Sequence, residues 1–207
     1  MEVLVTGSGL KKTFNRRTIF QNVSFSTGAG ETLLVTGRNG SGKSTLLKII
    51  ARILTPSAGA VTFKRNGIVR DDGPYSILGF VSPYLSLYDE FSARENLVFS
   101  LSIRGLDPRA YPIDTMLDES GLGHFKETPA RVFSSGMKQR LKYAFALIHR
   151  PPVLLLDEPM SNLDLQGRDF VRKLMRSQTS HGALIVATND LADVEHIASH
   201  VNLDETV

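Results

Sequence analysis

The sequence predicts an α/β fold: a mostly parallel sheet with helices on its faces, interrupted midway by a helical insert. Three observations carry this. A glycine-rich loop, Gly37-Arg38-Asn39-Gly40-Ser41-Gly42-Lys43-Ser44, joins the apolar run Glu31–Thr36 to a helical pattern starting at Thr45. Two further apolar runs, 153–156 and 183–187, read as buried parallel strands separated by a helix over 165–178. Between the loop and these runs, residues from about 85 to 150 change to helical periodicity broken by Gly105, Pro108 and Pro112.

Composition bounds the rest. The chain has 207 residues, 42% hydrophobic and 22% charged, enough for one substantial core. No window approaches the ~18 apolar residues of a membrane span, and no signal-peptide pattern opens the chain. The absence of cysteine excludes a disulfide framework and thiolate-ligated metal, and suits a reducing compartment. A net charge of +3, with Lys11-Lys12 and Arg16-Arg17 scattered as solvated faces, gives no argument for a nucleic-acid partner.

In chain order, Val3-Leu4-Val5 begins a strand, and Gly7-Ser8-Gly9 lacks the third glycine of a dinucleotide fingerprint and reads as a turn. The loop 37–44 follows. Its glycines let successive N–H groups point at phosphate oxygens, with the helix N-terminus adding positive potential. Lys43 is placed for β- and γ-phosphates, and the Ser44 hydroxyl for Mg²⁺; Thr45 opens the helix. Residues 60–63 and 77–81 read as strands, 92–101 as a helix, and Met116-Leu117 with Gly121-Leu122-Gly123 as a short helix and its stop. Phe133-Ser134-Ser135-Gly136-Met137 precedes a helix expected over 138–150. The run Val153–Leu156 ends in Asp157-Glu158. Parallel strands place ligands at their carboxyl ends, so Asp157 is a candidate Mg²⁺ ligand and Glu158 a candidate for polarising a water.

The segment 133–137 resembles the L-S-G-G-Q signature of ATP-binding cassette (ABC) ATPases, the nucleotide-binding subunits of ABC transporters. The order that follows supports the resemblance: one helix, Pro151-Pro152, the 153–158 strand, then Ser161-Asn162-Leu163-Asp164, similar to the S-A-L-D loop of the family. The likeness spans nearly the whole chain. It implies an ABC-type P-loop NTPase core with a mostly parallel sheet, an N-terminal antiparallel β part and a helical insert. Residues 1–207 would form one nucleotide-binding domain, core 1–82 and 151–207, helical subdomain about 83–150. It also implies ATP and Mg²⁺ as ligands, Phe14 as the aromatic under the adenine, and Ser134, Ser135 and Gly136 as a second phosphate contact. That contact would serve the nucleotide held by another copy, so that two ATPs are sandwiched in a dimer with Asp164 at the interface.

Three departures from the family pattern stand out. Where a glutamine usually follows the 78–81 strand, the chain has Ser82-Pro83-Tyr84, and no glutamine occurs between Gln21 and Gln139. Ser82 is therefore a candidate weak or water-mediated Mg²⁺ ligand. Where a histidine contacts the γ-phosphate, the chain has Asn189, which can hydrogen-bond but not titrate. Ser135 and Met137 replace glycine and glutamine in the signature. ATP binding is expected to survive all three, with slow hydrolysis.

The compact length and the segment 82–97 resemble small exporter ATPases, including the haem-exporter subunits of cytochrome c maturation. The resemblance implies a cytoplasmic, membrane-peripheral ATPase powering transport, with a transmembrane permease docking near Tyr84–Arg94, in the groove between core and insert, and a second ATP-binding subunit completing the site, expected as a homodimer with a heterodimer left open. Two other readings remain: a clamp that binds ATP with little hydrolysis, motivated by Asn189, and a soluble ABC ATPase of repair or translation, which would usually carry a coiled-coil insert or two cassettes.

Overall fold

In the computed structural model, the strands that flank the phosphate loop sit at the centre of a parallel sheet. The structure describes residues 2–69, 76–161, 163, 165–191, 194 and 197–206. It comprises two units, one of residues 1–82 with 152–207 and one of residues 83–151.

The first unit contains an antiparallel sheet of β1 (Val3–Phe14), β2 (Arg17–Gly28), β4 (Ala58–Arg65) and β5 (Ile68–Val69), in the order β2-β1-β4-β5. The β1–β2 hairpin closes at Asn15 and Arg16, both at positive φ (46° and 67°), the requirement of a type I′ turn. Val3, Val5, Leu10, Phe20, Val23 and Phe25 send the apolar face of this hairpin inward. Gly7-Ser8-Gly9, expected as a turn, lies inside β1. Register shifts between Gly7 and Leu10 and a Gly9 φ of 56° make it a bulge, the extra residue being absorbed by glycine in the left-handed region. A Cβ at Gly7 would also fall 2.4 Å from the Phe25 ring.

The parallel sheet of the same unit has the order β6-β7-β8-β3-β9, from β6 (Leu78–Val81), β7 (Val153–Asp157), β8 (Ala183–Ala187), β3 (Thr32–Thr36) and β9 (Ile197–Asn202). All neighbours run parallel. Every residue of β7 and β8 is buried, which is why both read as uninterrupted apolar runs. β9 was not legible: it is an edge strand, mostly exposed, and its one buried residue is Val201. α1 (Lys43–Ile50) follows the loop and buries Leu46, Leu47, Ile49 and Ile50 against strands of both sheets, including Phe20, Phe63, Leu155 and Ile185. Each such side chain contributes about 1.5–3 kcal/mol through burial. α5 (Leu165–Thr179) buries Val171 and Met175.

The second unit is helical: α2 (Ala93–Ser102), α3 (Ile113–Glu119) and α4 (Ser135–Leu147), around Leu97, Leu101, Leu117, Leu122, Leu141, Ala144 and Phe145. α2 starts in a capping box: Glu95 N donates to Ser92 Oγ (3.1 Å) and Ser92 N to Glu95 Oε2 (2.7 Å). The buried Asn96 fastens the preceding loop, accepting from Tyr88 N at 3.0 Å and donating to Tyr88 O at 3.0 Å. α4 begins at Ser135 and not near Lys138 as expected, because Ser134 is the cap: its side chain accepts from Met137 N at 3.3 Å.

Candidate functional site

The phosphate loop leaves β3 and enters α1 through two backbone positions that exclude other residues. Gly37 has φ 142°, and a Cβ there would lie 2.5 Å from Ser41 Oγ; Gly42 has φ 107°, and a Cβ would lie 2.5 Å from Ile19 Cγ2 on β2. Gly42 caps α1 without any side-chain hydrogen bond, so the first-turn N–H groups stay available to an anion. Arg38 and Asn39 form the curl between; Ser41 N donates to Arg38 O at 3.0 Å, and Gly40 also takes positive φ (83°). Ser44 and Thr45 continue α1.

Lys43 is buried and turned back on the loop. Its Nζ donates to Gly37 O at 2.8 Å and to Asn189 Oδ1 at 2.7 Å, with Arg38 O and Glu158 Oε1 both at 3.5 Å. Asn189 follows β8, and its Nδ2 donates to Asn39 Oδ1 at 2.7 Å. Three strand ends thus converge on the loop: β3 before it, β7 with Asp157-Glu158, and β8 with Asn189. Glu158 sits at φ 49°, a left-handed position uncommon outside glycine, fixed by its N–H to Ala187 O at 2.8 Å.

Asp157 is buried, and neither carboxylate oxygen has a well-formed hydrogen bond. Burial pushes its carboxyl above the ordinary range, opposed by the Ser44 hydroxyl and by the charges of Lys43 and Lys48. A buried carboxylate with two unsatisfied oxygens beside a serine hydroxyl has the donor chemistry of a Mg²⁺ site, since Mg²⁺ keeps several waters and takes few protein oxygens. Ser82, also buried, follows β6 at the same sheet end: Val81 pairs with Leu156, the residue before Asp157.

Phe14 is 44% exposed at the end of β1, so it is no core residue. The Lys12 ammonium stands 4.7 Å over its ring and donates to Thr55 O at 2.7 Å. In the second unit, Ser134 caps α4 while Ser135 and Gly136 occupy its first turn, with no acidic side chain there. Tyr84, Tyr88 and Phe91 are exposed, and Tyr88 packs on Phe91 and Phe99 with ring centroids 5.2 and 4.4 Å apart. Asn162 and Asp164 lie outside the described residues. Sequence reasoning missed Asp204, whose Oδ2 accepts from Arg38 N at 2.9 Å; nothing in the sequence marks it, since it reaches the loop from 166 residues away. Among the described residues no helix is long and apolar enough to cross a membrane.

Comparison with known proteins agrees with this geometry. The sequence model of a family described as ABC transporter matches residues 20–161. The chain is 33% identical to a lantibiotic transport ATP-binding protein, SrtF, of Streptococcus pyogenes, over 93% of this chain and 82% of that protein. It is 35% identical to a cytochrome c biogenesis ATP-binding export protein, CcmA, of Rhodopseudomonas palustris (strain BisB5), over 88% of this chain and 90% of the other. Among solved structures, the ATP-binding subunit of an ABC transporter superposes with a TM-score of 0.83 at 28% identity, covering 96% of this chain and 85% of that one. A bacterial Atm1-family ABC exporter with ATP bound shares the fold, with a TM-score of 0.80 at 24% identity, over 98% of this chain and 37% of that one.

Proposed function

Because this chain belongs to the ABC transporter family, as one of its ATP-binding subunits, we propose that it powers export through a separate membrane subunit by hydrolysing ATP at the loop 37–44. The observation that carries the site assignment is the convergence of Lys43, Asp157, Glu158 and Asn189 on that loop. The adenine stacks on Phe14, and the triphosphate lies along Gly37, Arg38, Asn39, Gly40, Ser41, Gly42, Lys43, Ser44 and Thr45. Its oxygens take the free N–H groups of the loop and of the α1 start. Lys43 leaves its present acceptors for the β- and γ-phosphates. Ser44 and Asp157, with Ser82 through water, would hold Mg²⁺, which when bound neutralises phosphate charge. Glu158 accepts a hydrogen bond from a water and aims its oxygen at the γ-phosphorus; ADP departs, and the γ-phosphoryl group leaves as inorganic phosphate.

The whole chain acts as one nucleotide-binding domain, core 1–82 and 151–207 with the helical subdomain about 83–150. Ser134, Ser135 and Gly136 contact the nucleotide of a second copy, so a homodimer completes both sites. The membrane subunit docks near Tyr84–Arg94, where exposed aromatics offer apolar contact area. The chain is placed on the cytoplasmic face of the membrane, and no nucleic acid takes part. Export follows from the relatives named for cytochrome c biogenesis export and lantibiotic transport.

Phosphate release from the purified chain tests the reading. Lys43→Ala should abolish nucleotide binding and release, and Glu158→Gln should bind ATP but release phosphate at least tenfold more slowly. Unchanged ATP affinity in Lys43→Ala removes the loop assignment. A second reading, a clamp with little hydrolysis, is favoured by Asn189, which cannot titrate. It predicts negligible release by the natural chain even with its membrane subunit.

A further inference from the structure

The residues that follow β9 brace one side of the phosphate loop. β9 runs beside β3 with Asn202 opposite Thr36, and this register brings the single helical turn Leu203–Glu205 to Gly37 and Arg38. Leu203 is fully buried, and its Cβ would stand 3.3 Å from a Cβ placed on Gly37. Beside it, Asp204 Oδ2 accepts from Arg38 N at 2.9 Å. The turn is itself anchored. Asn202 Oδ1 accepts from Asp204 N at 3.2 Å, Thr206 Oγ1 donates to Leu203 O at 2.9 Å, and Gln21 N of β2 donates to Thr206 O at 2.8 Å. Arg38 is thus held at both ends of its backbone, the N–H by Asp204 and the carbonyl by Ser41 N at 3.0 Å within the loop. The arginine side chain adds little: it is 82% exposed, with Nε 3.7 Å from Asp204 Oδ1.

We propose that Asp204 is a positioning residue of the nucleotide site: from the turn after β9, its carboxylate fixes the start of the phosphate loop through the Arg38 N–H and so presets the curl that receives the phosphates. The inference rests on the nucleotide reading above. The loop changes direction through Gly37, Gly40 and Gly42, all at positive φ, and glycines leave many backbone states open. Ordering those states on binding costs affinity. The tie at Arg38 removes part of that cost in advance. The carboxylate charge acts the other way, since it stands next to a site for anions. Hydrogen bond and charge therefore contribute with opposite signs, and substitution can separate them.

Calorimetric titration with ADP and with a non-hydrolysable ATP analogue, well below the melting temperature, compares the natural chain with Asp204→Asn and Asp204→Ala. Both variants lose the charge, and only asparagine keeps an acceptor for Arg38 N. Asp204→Ala should bind about three- to tenfold more weakly than Asp204→Asn, the weight of one hydrogen bond, while Asp204→Asn matches or exceeds the natural chain. ADP and the analogue should move together, because both lay their α- and β-phosphates in the loop. Hydrogen exchange reads the position directly. In Asp204→Ala the amides of residues 37–42 should exchange faster with β7 and β8 unaltered, whereas a loss of global stability would quicken the buried strands too. Should Asp204→Ala fail to fold, Asn202→Ala loosens the same turn but leaves the carboxylate, and should show the same loop-confined exchange and weaker binding. Equal affinities of the two Asp204 variants, or unchanged exchange at residues 37–42, overturns the proposal. If the natural chain binds neither nucleotide, the function reading falls and the proposal with it; nucleotide binding indifferent to the acceptor removes only the role of Asp204.

Discussion

Lys43 Nζ faces two loop carbonyls, an amide oxygen and a carboxylate. In the proposed function, phosphate oxygens replace some of these acceptors, and the strength of that exchange depends on a backbone that side chains cannot enter. Gly42→Ala should therefore act as severely as loss of the lysine. Its Cβ would collide with Ile19 at 2.5 Å in a left-handed conformation, displacing the loop from β2, and ATP titration should show affinity lost by at least tenfold. Phe14 offers a milder test. Base–aromatic stacking is worth about 1–3 kcal/mol, so Phe14→Ala should weaken ATP by roughly tenfold while Phe14→Tyr leaves affinity nearly unchanged. Equal affinities for Phe14→Ala and the natural chain would show that the adenine lies elsewhere. At this scale the loop, Asp157, Glu158 and Asn189 were legible because each follows an apolar run that announces its strand. Asp204 was not, because its contact with Arg38 depends on β9 pairing beside β3, which no local pattern encodes.

The elements explain which parts of the fold could be read. β7 and β8 are buried throughout and leave continuous apolar runs, whereas β9 is an exposed edge strand and β1 hides a bulge at Gly7–Gly9. The start of α4 was misplaced because Ser135 and Gly136 are poor helix formers; the Ser134 cap overrides their propensity. The same physics sets the stability of α2. Ser92→Ala breaks its capping box and should cost about 1 kcal/mol in urea unfolding. Arg94 ties α2 to Asp114 on α3 at 2.6 Å, and that hydrogen bond holds the Asp114 carboxyl below its usual range. A depressed carboxyl stabilises the fold above its unfolded-state pKa and loses that contribution as pH falls through the folded-state value. Asp114→Asn should therefore lower stability near neutrality and change it little at the acid extreme, which flattens the acid limb of the stability profile.

For the whole molecule, the proposed dimer has one chain holding only part of each site. The phosphate loop, Asp157 and Glu158 belong to one unit and the Ser134–Gly136 helix start to the other. A Cβ on Gly136 would meet nothing within 4 Å in a single chain. Gly136→Ala should consequently leave the melting temperature of the free protein nearly unchanged but impair ATP-dependent association, where a phosphate must approach that backbone. The helical insert itself was legible in the change to helical periodicity after the 77–81 strand. Asp164, expected at the interface, falls outside the described residues.

Mass measurement by light scattering on Glu158→Gln, with and without ATP and Mg²⁺, addresses the sandwich directly. Stalled hydrolysis should leave the triphosphate bridging two copies, so the mass should double with ATP and return to that of a single chain with ADP. A variant that binds ATP at saturation yet keeps the mass of one chain at every protein concentration would contradict the account.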